Sequence, residues 1–229
     1  AQKLADDPKQ LLAFQAGARL GSSLRSVLAS GERIIALTQS LKGYARPDAD
    51  ERKEVDVRRG IDDVLRLTSH RVHGIDVVCE YEDVEPVLAH PSKLQQVWTN
   101  LIVNAAEAIE DEAADLKARA EASPASGIYL PARGHDEARI TIRVAMDGDQ
   151  VKVEICDNGP GIAPEVLDRI MEPHFTTKAG RVRFGLGMGM SIVHSIIADL
   201  DGRLLIDSHP GSTTMRILIP AHHVHEEES

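Results

Sequence analysis

Residues 138–157, "ARITIRVAMDGDQVKVEICD", alternate apolar and polar side chains on both sides of Asp147-Gly148. Successive side chains of a strand point to opposite faces, so a two-residue period builds a sheet with one buried and one wet face. Asp-Gly between two such runs marks a hairpin turn. An all-helical fold is therefore excluded, and the rest of the chain has to supply whatever covers the buried face.

The sequence offers helices and further strands for that purpose. "RRGIDDVLRLTSHRV" is amphipathic, with Ile61, Val64, Leu65 and Leu67 on its apolar side. "IDVVCEYE" reads as a strand. "SKLQQVWTNLIVNAAEAIEDEAADL" reads as a long helix over 92–116, opened by Ser92 and Gln95 at capping-box spacing. Helices are expected near 164–171 and 189–200, followed by closing strands "GRLLIDS" and "TTMRILIP". Turn formers crowd residues 123–138, which read as a loop. Upstream, residues 9–46 look helical, with Leu20, Leu24, Val27, Gly31, Ile34, Thr38, Leu41 and Ala45 in the four-three spacing of a helix-packing seam. Pro47 cannot continue that helix, which puts a boundary near 47–53.

Aromatic residues are only 3% of the 229-residue chain, so its core must come from Leu, Ile, Val and Ala. A formal charge of −10 argues against non-specific nucleic-acid binding, which depends on Lys and Arg. No run approaches the length of a membrane span and no signal peptide opens the chain, which predicts a cytoplasmic protein. Cys79 and Cys156 have no CxxC partner and are expected to be reduced and structural.

Three stretches carry candidate chemistry. In "FGLGMGMSIVHSII" the glycines Gly185, Gly187 and Gly189 run straight into a helical pattern. Glycines let the backbone approach a ligand, and the helix start behind them favours an anion such as phosphate. The stretch matches neither GxGxxG nor a P-loop, and a lone Gly-rich turn before a helix is more often a plain loop. On the 92–116 helix, Asn100, Asn104 and Glu107 stand at i, i+4 and i+7, on one stripe with Gln96 and Lys93. Both asparagines offer an uncharged hard oxygen suited to Mg²⁺ beside phosphates, although a solvated face would also be polar. In "EICDNGPGI" a strand delivers Asp157 at its end, followed by Gly159 and Gly161. A carboxylate there accepts from the amine of adenine and disfavours guanine; the alternative is a simple turn. Between the last two stretches, "EPHFTTKAGRVRF" adds Lys178, Arg181 and Arg183, a cationic loop suited to covering a polyphosphate or merely solvated.

Taken together, "QVWTNLIVNAAEAI", "DNGPGI", "EPHFTTK", "GLGMGMSIVHSII" and "GSTTMRILIP", in that order, resemble the ATP-binding domain of sensor histidine kinases, in the superfamily that includes DNA gyrase and MutL. The resemblance covers about 54–220, and "LTQSLKGYARP" looks like the end of the second helix of the kinases' dimerisation and phosphoacceptor hairpin. It implies a two-layer α/β sandwich, a mixed sheet with helices on one face, behind an N-terminal helical stalk. Residues 1–48 would be part of the hairpin, and 49–229 the ATP-binding catalytic domain, with an insertion at about 110–138 and an ATP lid at about 162–185. By resemblance Asn104 ligates Mg²⁺, Asn100 lines the same site, and Glu107 falls where the family often places a polar or charged residue near the phosphates. Asp157 with Gly159 and Gly161 matches the adenine pocket, Phe175 and Lys178 the lid, and Lys178 a phosphate contact. Gly185, Gly187 and Gly189 match the second glycine box, and Thr214 a strand threonine near the base. Arg181 and Arg183 are additions from charge alone.

The chain has no histidine before His70, which lies inside the ATP-binding region. The phosphoacceptor histidine is thus expected on a helix outside this chain, truncation being the favoured reason, and the chain alone is expected not to autophosphorylate. The implied partners are ATP, Mg²⁺, that histidine, a response-regulator receiver domain and a second copy in the full-length protein. Rival readings are a Ser/Thr kinase, a conformational ATPase and a non-catalytic docking module. The second would need a glutamate base one turn before Asn104, where Asn100 stands.

Overall fold

The structure, a computed structural model, describes residues 51–122, 138–172 and 189–223. The helix expected over 9–46 and the loop expected at 123–138, apart from Ala138, lie outside them. In order the elements are β1 (Lys53–Val55), α1 (Val57–Leu67), β2 (Asp76–Tyr81), β3 (Val87–Ala89), α2 (Pro91–Ala122), β4 (Arg139–Asp147), β5 (Gln150–Asp157), α3 (Pro164–Leu167), α4 (Gly189–Ala198), β6 (Arg203–His209) and β7 (Ser212–Pro220).

The period-two stretch is indeed a hairpin, β4 and β5, with Asp147 opposite Gln150 and Gly148 at φ 60° in the turn. It seeds a five-stranded sheet ordered β2-β4-β5-β7-β6. The sheet is mixed, because β2 runs parallel to β4 while every other neighbouring pair is antiparallel. Inward-pointing Ile140, Ile142, Val144, Val151, Val153, Ile155, Met215, Ile217 and Ile219 are buried. Helix α2 packs on this face at β5 and holds α1 and α4 beside it. Burial of side chains such as Ile142 and Leu101 stabilises by about 1.5–3 kcal/mol each. The helix-on-sheet layering and the mixed sheet expected from the sequence are both present.

The opposite sheet face is charged. Glu80, Arg143, Glu154 and Arg216 stand directly opposite one another across β2, β4, β5 and β7. Arg143 Nε donates to Glu80 and Arg216 Nε to Glu154, each at 2.6 Å. Alternating charge suits facing strand positions on a wet surface.

Several expected boundaries move. Helix α1 begins behind Asp56, whose carboxylate accepts the Arg58 N–H at 3.0 Å, and closes at Thr68, whose hydroxyl donates to the Val64 carbonyl at 2.7 Å. It buries Ile61 and Val64, but Leu67 is 70% exposed: six residues beyond Ile61, it has turned about two-thirds of the way round the helix. Helix α2 starts at Pro91, with the His90 carbonyl accepting from Lys93 and Leu94, so Ser92 sits inside the first turn and does not cap it. It then runs to Ala122, so residues 110–122 of the expected insertion continue the helix. A helix expected at 164–171 is four residues long, Pro164–Leu167, with turns after it. Strands β1 and β3 were not expected; they pair antiparallel as a separate two-stranded sheet, Val55 opposite Val87.

Candidate functional site

Asp157 is the last residue of β5 and lies on its inward face, 5% exposed. Burial pushes its carboxyl up to about 6; the Gly159 N–H donating to Oδ1 at 2.9 Å opposes that shift, and the charge of Glu112 reinforces it. An acid held this way is one proton away from neutrality at mildly acidic pH, unlike a solvated aspartate.

The loop after Asp157 is packed so closely that side chains are excluded. A Cβ on Gly159 would lie 2.8 Å from Asp157 Oδ1 and 3.3 Å from the Ala108 Cβ of α2. Gly161 has φ 81°, and a Cβ there would collide with the His209 carbonyl. On its other side the loop is tied to the β6–β7 turn. The Ile162 N–H donates to Ser208 Oγ at 2.8 Å, and Ser208 shares a hydrogen bond with Thr213 Oγ1 at 2.9 Å.

Strand alternation decides which threonine belongs to this corner. Thr213 is directly opposite Asp157 in the β5–β7 register and is 4% exposed. Thr214, expected from the sequence, pairs with Cys156, and adjacent strand residues face opposite ways, so its side chain points to the other face of the sheet. Thr213, and not the expected Thr214, therefore shares the face of Asp157.

The stripe on α2 is likewise sorted by its neighbours. Gly189, the first residue of α4, lies against Asn100: a Cβ there would stand 3.4 Å from Asn100 Oδ1. Asn104 Nδ2 donates to Met190 Sδ at 3.5 Å. Asn100 Nδ2 is buried and finds no hydrogen-bond partner among the described residues. A buried donor left this way is costly, and an oxygen-bearing ligand in front of it removes the cost. Glu107, 5% exposed, is engaged by Arg71 from the segment after α1, whose Nη2 donates to Oε1 at 2.6 Å. Its carboxylate is thus already paired within the protein.

Asp157 and Asn104 come together through α2. The Gly159 loop abuts Ala108, one turn beyond Asn104, and the start of α4 abuts Asn100 and Asn104. Phe175, Lys178, Arg181, Arg183, Gly185 and Gly187 lie outside the described residues. Among the described residues no three His, Cys, Asp or Glu side chains converge on a cation site, so a metal here would rely on amide oxygen and on ligand oxygens. A cleft of about 440 Å³ lined by Lys53, Asp56, Arg59, Pro91 and Gln95 is a different place, between β1, α1 and the start of α2. No described helix is long and apolar enough to cross a membrane.

A family model described as histidine kinase-, DNA gyrase B- and HSP90-like ATPase matches residues 89–223. The sensory histidine kinase/phosphatase NtrB of Rhizobium leguminosarum bv. phaseoli is 30% identical over 194 residues, covering 83% of this chain and 47% of that protein. The sensor kinase CckA of Brucella abortus (strain 2308) is 31% identical over 201 residues, covering 86% of this chain and 20% of that protein. The chain therefore spans half or less of the length of these relatives. Among solved structures, the nucleotide-free catalytic domain of histidine kinase ThkA aligns with a TM-score of 0.56 at 26% identity, covering 75% of this chain and 96% of that one.

Proposed function

The chain belongs to the histidine kinase-, DNA gyrase B- and HSP90-like ATPase family, and within it we propose that the chain is the Mg·ATP-binding catalytic region of a two-component sensor histidine kinase. The observation that carries this reading is the contact of the Asp157 loop with Ala108, one turn along α2 from Asn104. It gives one helix a buried carboxylate corner at one point and paired amides at another.

In this reading the ionised Asp157 accepts a hydrogen bond from the amine of adenine, a position where guanine carries a carbonyl. Gly159 and Gly161 let the loop seat closely against α2 and the β6–β7 turn, and Thr213 stands beside the carboxylate. Asn104, seconded by Asn100, would hold Mg²⁺ through its amide oxygen, and that ion would supply neutralisation of charge across the phosphates. Phe175 and Lys178 would belong to the lid, and Gly185, Gly187 and Gly189 to the second glycine box. Residues 49–229 form the ATP-binding domain and 1–48 belong to the hairpin helix. The γ-phosphate goes to a histidine outside this chain, for relay to a receiver domain, in a cytoplasmic homodimer. The conformational-ATPase alternative lacks a base, since Asn100 carries no basic oxygen where one is needed.

Calorimetry with a non-hydrolysable ATP analogue, with and without Mg²⁺, tests the reading. Wild type is expected to bind more tightly with Mg²⁺, and Asn104→Ala to lose that gain. Labelled ATP should leave the chain unlabelled until a helix bearing the acceptor histidine is supplied. Binding indifferent both to Mg²⁺ and to Asn104→Ala would overturn it.

A further inference from the structure

Glu107 poses an electrostatic problem for any phosphate held at Asn104. Residues three apart on a helix are surface neighbours, with Cβ atoms about 5–6 Å apart, and the Glu107 side chain is 6% exposed. A buried carboxylate is poorly screened, so left bare it would repel a triphosphate on the same helix face. The chain is already acidic, at −10, and adds no general attraction for an anion. Arg71 answers this locally. It comes from the α1–β2 connection, 36 residues away in sequence, and its guanidinium meets Glu107 Oε1 at 2.6 Å. Arg71 is itself held in place: its N–H donates to the Thr68 carbonyl at 2.7 Å, and Thr68 closes α1.

We infer that Arg71 is a positioning residue for the nucleotide's phosphate tail: by pairing with Glu107 it cancels the carboxylate nearest Asn104 on that stripe and so makes the stripe acceptable to a polyanion. This rests on the nucleotide reading given above. Arg71 carries this role without touching the nucleotide, and Glu107 matters through the charge it would leave behind. The consequence is specific. Removing the arginine penalises a ligand in proportion to its phosphate charge, and removing both partners restores binding.

The test is calorimetric titration of the whole chain with Mg·ATP, Mg·ADP and adenosine, for wild type, Arg71→Ala, Arg71→Lys, Glu107→Gln and the double variant Arg71→Ala/Glu107→Gln, with thermal melting of each. Arg71→Ala is expected to weaken Mg·ATP about tenfold or more, Mg·ADP less, and adenosine by under about twofold. Arg71→Lys, which keeps the charge, and the double variant are expected within about threefold of wild type for all three ligands. If Arg71→Ala does not fold, the double variant and Arg71→Lys still decide: a double variant that binds adenosine normally and Mg·ATP poorly overturns the inference. Equal losses for ATP and adenosine in Arg71→Ala, tracking the melting temperature, also overturn it by making the pair a structural strut. Wild type that binds none of the three ligands sinks the nucleotide reading itself.

Discussion

Replacing Asp157 by asparagine is expected to make the free protein more stable while removing the proposed contact with adenine. The carboxyl sits at about 6 in the folded chain against an ordinary value of 3.8, chiefly because burial disfavours its charge. The folded state therefore holds a proton that the unfolded state has released between those two values. Stability conferred by this group is present at low pH, falls as pH rises from 3.8 towards 6, and stays lost above that. A shift of about two units corresponds to about 3 kcal/mol at neutral pH. A buried asparagine amide returns about 1–2 kcal/mol of that as its own desolvation. A net gain of about 1–2 kcal/mol remains, raising Tm by about 2–8 °C for a chain of this size. Because Oδ1 of asparagine still accepts the Gly159 N–H, the loop keeps its anchor. Thermal melts of both proteins by circular dichroism at pH 7.5 and pH 4.5 measure the difference, in which other titrating groups cancel. Asp157→Asn should melt higher at pH 7.5, and the gap should close at pH 4.5, where the wild-type carboxyl is protonated. A variant less stable than wild type at pH 7.5, or a gap indifferent to pH, would refute the reasoning that the ionised Asp157 destabilises the folded chain.

Gly159→Ala forces a methyl to 2.8 Å from Asp157 Oδ1 and to 3.3 Å from the Ala108 Cβ of α2, so it should cost about 1–3 kcal/mol of stability in urea unfolding; a neutral outcome would show that the loop yields easily. Thr213→Val removes the hydroxyl shared with Ser208 and should cost about 1 kcal/mol, while Thr214→Val on the wet face should stay within about 0.5 kcal/mol. Equal effects of the two threonines would contradict the strand register.

Features legible in the sequence are those set by neighbours along the chain. The β4–β5 hairpin follows from side-chain alternation and an Asp-Gly turn, and the α2 stripe of Asn100, Asn104 and Glu107 from the helical repeat. Asp157 at a strand end, with glycines after it, could be placed by the same local rules. Helix limits were less legible: the capping-box spacing at Ser92 competes with Pro91, whose fixed φ starts the helix a residue earlier, and no breaker stops α2 before Ala122. Strands β1 and β3, three residues each, are too short to show a period and exist because they pair with each other.

What the sequence determined by itself was therefore an α/β chain with a sheet wet on one side, together with the residue types from which a nucleotide site is made. Only the tertiary structure decided their company: Thr213 and not Thr214 beside Asp157, Ala108 against Gly159, Met190 on Asn104, and Arg71 on Glu107. The reason is physical. Backbone period and turn chemistry act over a few residues and leave a mark in the sequence, whereas burial and charge pairing join residues 36 and 86 positions apart, where no local pattern records them.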